Sequence, residues 1–192
     1  MEETENKVVT KDPPSVDFSL QLSLDKNSEH VESSAFEWLK IIAKEVHGGK
    51  QDSLGALIVV GEFEKFGPRV QGMLQMKPKQ NPIESMKMID SEDSGTHIKD
   101  FSEPPYDGAI VVNSTGQIVG AGIYLVIDNP TLDTPEDCGT RHKAAASFSL
   151  RNDVIGVLTL SEETNIVRVW KDGRVSKVYR IEDEENKIKT KE

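Results

Sequence analysis

The sequence predicts an α/β fold: a single domain in which a central mixed, mostly antiparallel sheet is flanked by helices. Three observations carry that expectation. Leu54–Val60 (LGALIVV) is an unbroken apolar run with β-branched residues, as a strand covered on both faces requires. Two pairs of later strand-like segments are joined by short turn sequences, Asn113-Ser114-Thr115-Gly116 and Asp172-Gly173. Helical patterns appear after Ser34 and again after Thr140.

Residues 1–30 carry many charges and Pro13-Pro14 and read as a flexible leading segment. Within it Phe18, Leu20, Leu22 and Leu24 alternate with polar residues, which also suits a short edge strand. The folded domain is expected over 31–180, led by a helix within 31–49. Ser34 and Glu37 have capping-box spacing, Phe36, Leu39, Ile42, Ala43 and Val46 share one face, and Gly48-Gly49 supplies the stop. The Leu54–Val60 strand follows. From Gly61 to Pro105 the only pattern is a short helix near Pro82–Ile89, so this stretch reads as a functional loop or lid. Ala109–Val112 and Gln117–Ile127 form a predicted hairpin, and Asn129–Asp137 is a Pro- and Asp-rich loop. Thr140 stands where an N-cap belongs, ahead of a small-residue helix through Phe148. Strands over Val154–Leu160, Ile166–Trp170 and Arg174–Arg180 close the domain, and 181–192 is a charged tail.

The chain has 192 residues and a net charge of −10, which argues against a general nucleic-acid binder and against attraction to an anionic membrane surface. An anionic ligand must therefore be held by a local positive site working against the global field. Cys138 is the single cysteine and can make no internal disulfide. No apolar run approaches the roughly 20 residues of a membrane-spanning helix, and Met1–Lys11 holds no apolar signal-peptide core. These features read as a cytoplasmic protein.

Four constellations could carry chemistry. Gly139-Thr140-Arg141-His142-Lys143 opens a helix, where free amides and the helix dipole favour an anion. Arg141 adds a planar fork for phosphate oxygens and Lys143 a mobile charge, although an ordinary cap followed by exposed basic residues also explains the run. Asp107-Gly108-Ala109 stands at a strand mouth, where an Asp can bind a divalent ion and glycine admits close backbone approach. Asp-Gly is equally routine in turns. Ser161-Glu162-Glu163-Thr164 joins two strands and is either a solvated turn or a source of a second metal ligand. Tyr124-Leu125, late in a strand, suits either core packing or one side of a purine sandwich. Cys138 beside the basic helix start reads as a small packing residue, with no histidine paired to it as a nucleophile requires.

In order and context these segments resemble the diadenylate cyclase catalytic domain family. YDGAIVV (Tyr106–Val112) and GTRHKAA (Gly139–Ala145) are similar to its Asp-Gly-Ala and Gly-Thr-Arg-His-Arg motifs, some thirty residues apart. The likeness extends to LGALIVV, to IVGAGIYL (Ile118–Leu125) and to LTLSEET (Leu158–Thr164). QNPIE (Gln80–Glu84) looks like the archaeal branch. The resemblance implies an enzyme that joins two ATP into cyclic di-AMP, each 3′-hydroxyl attacking the other nucleotide's α-phosphate across two facing protomers of a homodimer or higher homo-oligomer. It implies that Asp107, Arg141 and His142 are catalytic, with Mg²⁺ or Mn²⁺ held by Asp107 and Glu163. Gly108, Ala109, Tyr124, Leu125, Gly139, Thr140, Lys143, Ser161 and Glu162 would join Arg141 and His142 in nucleotide binding. Lys143 stands in place of the motif's second Arg, and Tyr106 where many members have His or Met. A catalytically silent ATP- or cyclic di-AMP-binding sensor is the alternative.

Overall fold

The computed structural model describes residues 18–63, 73–75, 87–104, 106–126, 134, 135 and 138–182. Helix α1 runs Phe18–His47, strand β1 Ala56–Gly61, β2 Met73–Gln75, helix α2 Ser94–Ser102, β3 Ala109–Asn113, β4 Ile118–Leu125, helix α3 Thr140–Phe148, β5 Val154–Leu160, β6 Val167–Lys171 and β7 Arg174–Tyr179. One seven-stranded sheet has the order β2-β4-β3-β1-β5-β6-β7. Only β1 and β3 pair in parallel; every other neighbouring pair is antiparallel. The mixed, mostly antiparallel sheet expected from the sequence is the one observed.

The position of β1 explains its unbroken apolar run. It lies between β3 and β5, and every residue from Ala56 to Gly61 is buried. Ile58 and Val60 join Ile110, Val112, Leu158, Val167 and Val169 under Phe36, Leu39, Ile42 and Ala43 of α1 and Ile98 of α2. Leu57 and Val59 point the other way, with Val111, Val157 and Trp170, under Ala144, Ala145 and Phe148 of α3. Both faces of the strand are covered, so alternation with polar residues would bury polar groups without partners. The result is a three-layer α/β/α sandwich.

Several local expectations need correction. Residues 18–30, expected as a flexible segment or an edge strand, belong to α1, and the helix does not begin at Ser34. The alternation of Phe18, Leu20, Leu22 and Leu24 misleads because no β-branched residue occurs between Phe18 and His30, while Leu, Gln, Lys and Glu all favour helix. The Gly48-Gly49 stop holds, with Gly49 at a φ of 67°. Strand β2 and helix α2 lie inside the stretch expected as a loop or lid. Helix α2 has no apolar stripe longer than Ile98 and Phe101, so tertiary burial of those two side chains sustains it. Gly139, not Thr140, is the N-cap of α3, and it provides no side-chain bond to the helix.

The sequence-predicted helix near Pro82 is described only from residue 87, where Met88 forms an isolated bridge with Gln117. QNPIE, residues 1–17, the tail from 183, and all of the 129–137 loop except residues 134 and 135 lie outside the described residues. Ile181 is buried in the α1-side core. Among the described residues no helix is long and apolar enough to cross a membrane.

The turns at the end of the sheet away from α3's first residue are tightly bonded. Asn113 Oδ1 accepts from the Thr115 amide at 3.1 Å, the Thr115 hydroxyl at 2.7 Å and the Gln117 amide at 2.9 Å. Ser149, at the C-cap of α3, accepts from the Gly173 amide at 3.0 Å and donates to the Ala146 carbonyl at 2.8 Å. That pair of bonds fastens α3 to the β6–β7 hairpin.

Candidate active site

Four strands and one helix deliver their ends to a single cavity of about 1040 Å³. The starts of β1 and β3, the last residues of β4, the residues after β5 and the first turn of α3 form its wall. Antiparallel pairing of β4 and β5 with their parallel neighbours brings these ends together. The volume is at the upper end for small-molecule sites.

The site residues expected from sequence converge here. Asp107, Gly108, Ala109, Tyr124, Leu125, Gly139, Thr140, Arg141, His142, Ser161, Glu162 and Glu163 all line the cavity. Lys143 is exposed and does not line it. Ser53, Gly55, Leu57, Ile123, Cys138 and Ala144 complete the wall and went unassigned as site residues by sequence reasoning. Cys138, which the sequence suggests as a packing residue, is buried and forms part of the wall. A Ser-x-Gly step at the entrance to the most apolar strand is the signal that could have pointed to Ser53 and Gly55.

Asp107 and Arg141 are 34 positions apart in sequence, yet Arg141 Nη2 lies 3.4 Å from Asp107 Oδ1. The Asp107 side chain is 60% exposed. A pair this long and this wet contributes about 0–1 kcal/mol, so it orients both groups without locking them together. The Arg141 guanidinium lies against Gly55, where an added Cβ would stand 1.8 Å from Nη1. Gly108 serves its neighbour strand in the same way: a Cβ there would fall 2.6 Å from the Gly122 carbonyl carbon. Its missing side chain lets β3 and β4 close up behind Asp107.

The first turn of α3 presents amides to the cavity. His142 and Lys143 donate to the Gly139 carbonyl, and the amides of Thr140 and Arg141 precede the first helical bonds. Tyr124 is 54% exposed although Ile123 and Leu125 on either side are buried, so its ring is offered to the cavity rather than to the core. Glu162 and Glu163 are exposed at the rim, while Ser161 is buried, its hydroxyl accepting from the Thr164 amide at 3.4 Å.

Among the described residues no group of three or more His, Cys, Asp or Glu converges as a closed metal site. The carboxylates of Asp107 and Glu163 nevertheless share the cavity with the positive start of α3. One or two carboxylates beside a phosphate-binding surface suit a hard divalent ion that completes its shell with water and phosphate oxygens. The donor set fits such an ion bound together with a nucleotide.

Residues 43–175 match the family model described as DisA bacterial checkpoint controller nucleotide-binding. The chain is 36% identical over 119 residues to a diadenylate cyclase of Methanocaldococcus jannaschii, covering 60% of this chain and 37% of that protein. It is 31% identical over 130 residues to a diadenylate cyclase of Haloferax volcanii, covering 67% of this chain and 45% of that protein. It thus spans less than half the length of these curated archaeal relatives. A crystal structure of a double mutant of DacA from Staphylococcus aureus superposes with a TM-score of 0.51 at 26% identity, covering 85% of this chain and 95% of that one.

Proposed function

Because this chain belongs to the DisA bacterial checkpoint controller nucleotide-binding family, we propose that it is a diadenylate cyclase, condensing two ATP into cyclic di-AMP and two pyrophosphates. The observation that carries the reading is the meeting of Asp107 with Arg141 in one cavity beside the open first turn of α3. One ATP sits in each subunit's cavity. Each 3′-hydroxyl attacks the α-phosphorus of the nucleotide in a facing copy; a P–O ester forms, the α–β anhydride breaks, and pyrophosphate leaves with the electron pair.

Such a transfer asks the protein mainly for alignment and charge neutralisation. The Thr140 and Arg141 amides and the Arg141 guanidinium hold phosphate oxygens. Tyr124 offers the base a stacking face, and Leu125 adds apolar surface to the cavity wall. Asp107 accepts the developing proton of the 3′-hydroxyl or lies next to the group that does. Asp107 and Glu163 would hold Mg²⁺ or Mn²⁺, which supplies positive charge to the phosphates. One half-site cannot align both nucleotides, so a homodimer or larger homo-oligomer is the working unit. ATP supply and the lone cysteine both suit the cytoplasm.

The test is incubation of purified protein with ATP and either metal, with cyclic di-AMP measured by mass across a range of protein concentration. Product is expected with at least one metal, and the rate per subunit should rise with concentration until facing pairs saturate. No product under any of these conditions overturns the reading. If ATP or cyclic di-AMP still binds in that case, the chain is a silent sensor. Asp107→Asn should reduce synthesis by at least about a hundredfold while leaving the melting temperature within error, since the side chain is largely exposed. Near-normal turnover in that variant would remove Asp107 from the chemistry.

A further inference from the structure

Helix α2 contributes nothing to the cavity wall, yet the backbone that carries Asp107 hangs from its last turn. The carbonyl of Glu103, the C-cap of α2, accepts from the Tyr106 amide at 2.9 Å and from the Asp107 amide at 3.0 Å. The Phe101 carbonyl accepts from the Gly108 amide at 3.1 Å. Three successive amides around the proposed metal ligand thus close a helix end whose last carbonyls have no partner within the helix itself. On the opposite side Gly108 closes on Gly122 of β4. The carboxylate has far less to hold it: among the described residues its one polar contact is Arg141 at 3.4 Å, and the side chain is 60% exposed. Where Asp107 reaches is therefore set by its backbone, and that backbone by α2.

Any donors would cap those carbonyls; what is particular is the ring pair beside them. Tyr106, the residue ahead of Asp107, lays its ring against that of Phe101, with centroids 5.2 Å apart and planes at 40°. This is the tilted arrangement that aromatic pairs favour. Phe101 is buried in the α1-side core, and Tyr106 packs on that core. Helix α2 is itself seated firmly on α1. Lys99 Nζ lies 2.5 Å from Glu45 Oε2, and an added Cβ at Gly95 would stand 2.6 Å from the Trp38 ring. So α1 holds α2, and α2 holds Asp107.

We propose that Phe101 is a positioning residue for the site: through its contact with Tyr106 it fixes the backbone from which Asp107 reaches the cavity. The hydrogen bonds alone do this less well. A carbonyl oxygen accepts over a broad range of directions, so the three bonds tolerate some sliding of Tyr106, Asp107 and Gly108. Two rings in contact at the edge of a close-packed core do not. Precision matters at this point, because misplacing a reacting group by about 1 Å can cost about a hundredfold in rate. The consequence for rate rests on the role proposed for Asp107; the consequence for the backbone does not.

The experiment uses the intact chain and reads the backbone and the reaction separately. Phe101→Leu and Tyr106→Leu each keep an apolar side chain and lose one ring. In both, deuterium exchange at the Asp107 and Gly108 amides, measured well below the melting temperature, should quicken at least about tenfold. Turnover at saturating ATP should fall by about tenfold or more. The KM for ATP should stay within about twofold, because Arg141 and the first turn of α3 are untouched. Tyr106→Phe, which keeps the ring, should keep slow exchange and most of the turnover. Faster exchange with unchanged turnover shows that the mount does not matter to the reaction and overturns the positioning role. Unchanged exchange in both leucine variants overturns the ring contact as the mount, as does a Tyr106→Phe variant no better than Tyr106→Leu. A loss of ATP sites, counted by titration, that matches the loss of turnover shows that the rings serve stability alone and overturns the proposal too. Should the unsubstituted protein make no cyclic di-AMP, the proposed reaction fails, and exchange in the leucine variants by itself decides whether the rings hold Asp107.

Discussion

Arg141 lies where it does because Gly55 has no side chain. The guanidinium occupies the space a Cβ would take, within 1.8 Å at Nη1 and 2.6 Å at Cζ. The obstructing atoms are the far end of a flexible side chain, so Gly55→Ala should displace Arg141 rather than unfold the protein. ATP affinity measured by titration calorimetry is expected to fall about tenfold, equivalent to roughly 1.4 kcal/mol. Unchanged affinity would mean that Arg141 does not meet the nucleotide. Asp107 and Arg141 were legible in the sequence because each belongs to a short motif whose residue types have few other uses. Gly55 and Ser53 were not, since their part depends on the parallel register of β1 with β3, which no local pattern reveals.

At the scale of elements, β1 and β3–β7 were easy to read, while β2 and most of the helical boundaries were not. Every strand from β3 to β7 has β-branched residues and a turn sequence at one end at least, and those signals are local. Helix α1 was under-read because its first half lacks the apolar stripe that its second half, from Val31 onwards, supplies in full. Helix α2 was missed because nine residues with two buried apolar anchors make no periodic pattern. Helix α3 was found, but its anchorage was not. The buried Ser149 hydroxyl ties its last turn to the β6–β7 hairpin through Ala146 and Gly173. Ser149→Ala leaves the Gly173 amide without that acceptor, at a cost of about 1–2 kcal/mol. For a chain of this size the melting temperature should drop by roughly 2–8 °C. A variant that melts with the unsubstituted protein would show that the hairpin carries no such tie.

For the molecule as a whole, the sheet fixes which end carries the cavity. In open parallel sheets ligands gather beyond the carboxyl ends of the strands. Here the cavity lies at the amino ends of the one parallel pair, β1 and β3; Asp107 stands just ahead of β3, Thr140 and Arg141 open α3, and Tyr124, Ser161, Glu162 and Glu163 come from antiparallel neighbours whose chains run the other way. A net charge of −10 would not prevent the proposed anionic ligand from binding at that end, because one arginine and two helix amides would act at close range where the distributed charge is screened. The distal turns, in contrast, have their polar groups satisfied internally by Asn113 and Ser149. This asymmetry has a kinetic counterpart in deuterium uptake. In the ligand-free protein the amide protons of Thr140 and Arg141 should be replaced nearly as fast as in an unstructured peptide, while those of Gln117 and Gly173 persist for far longer. Saturation with nucleotide should slow the first pair at least about tenfold and leave the second pair untouched. Equal uptake at the two ends would show that the rigidity of the fold is uniform; the bonding instead predicts a body annealed at one pole and left receptive at the other.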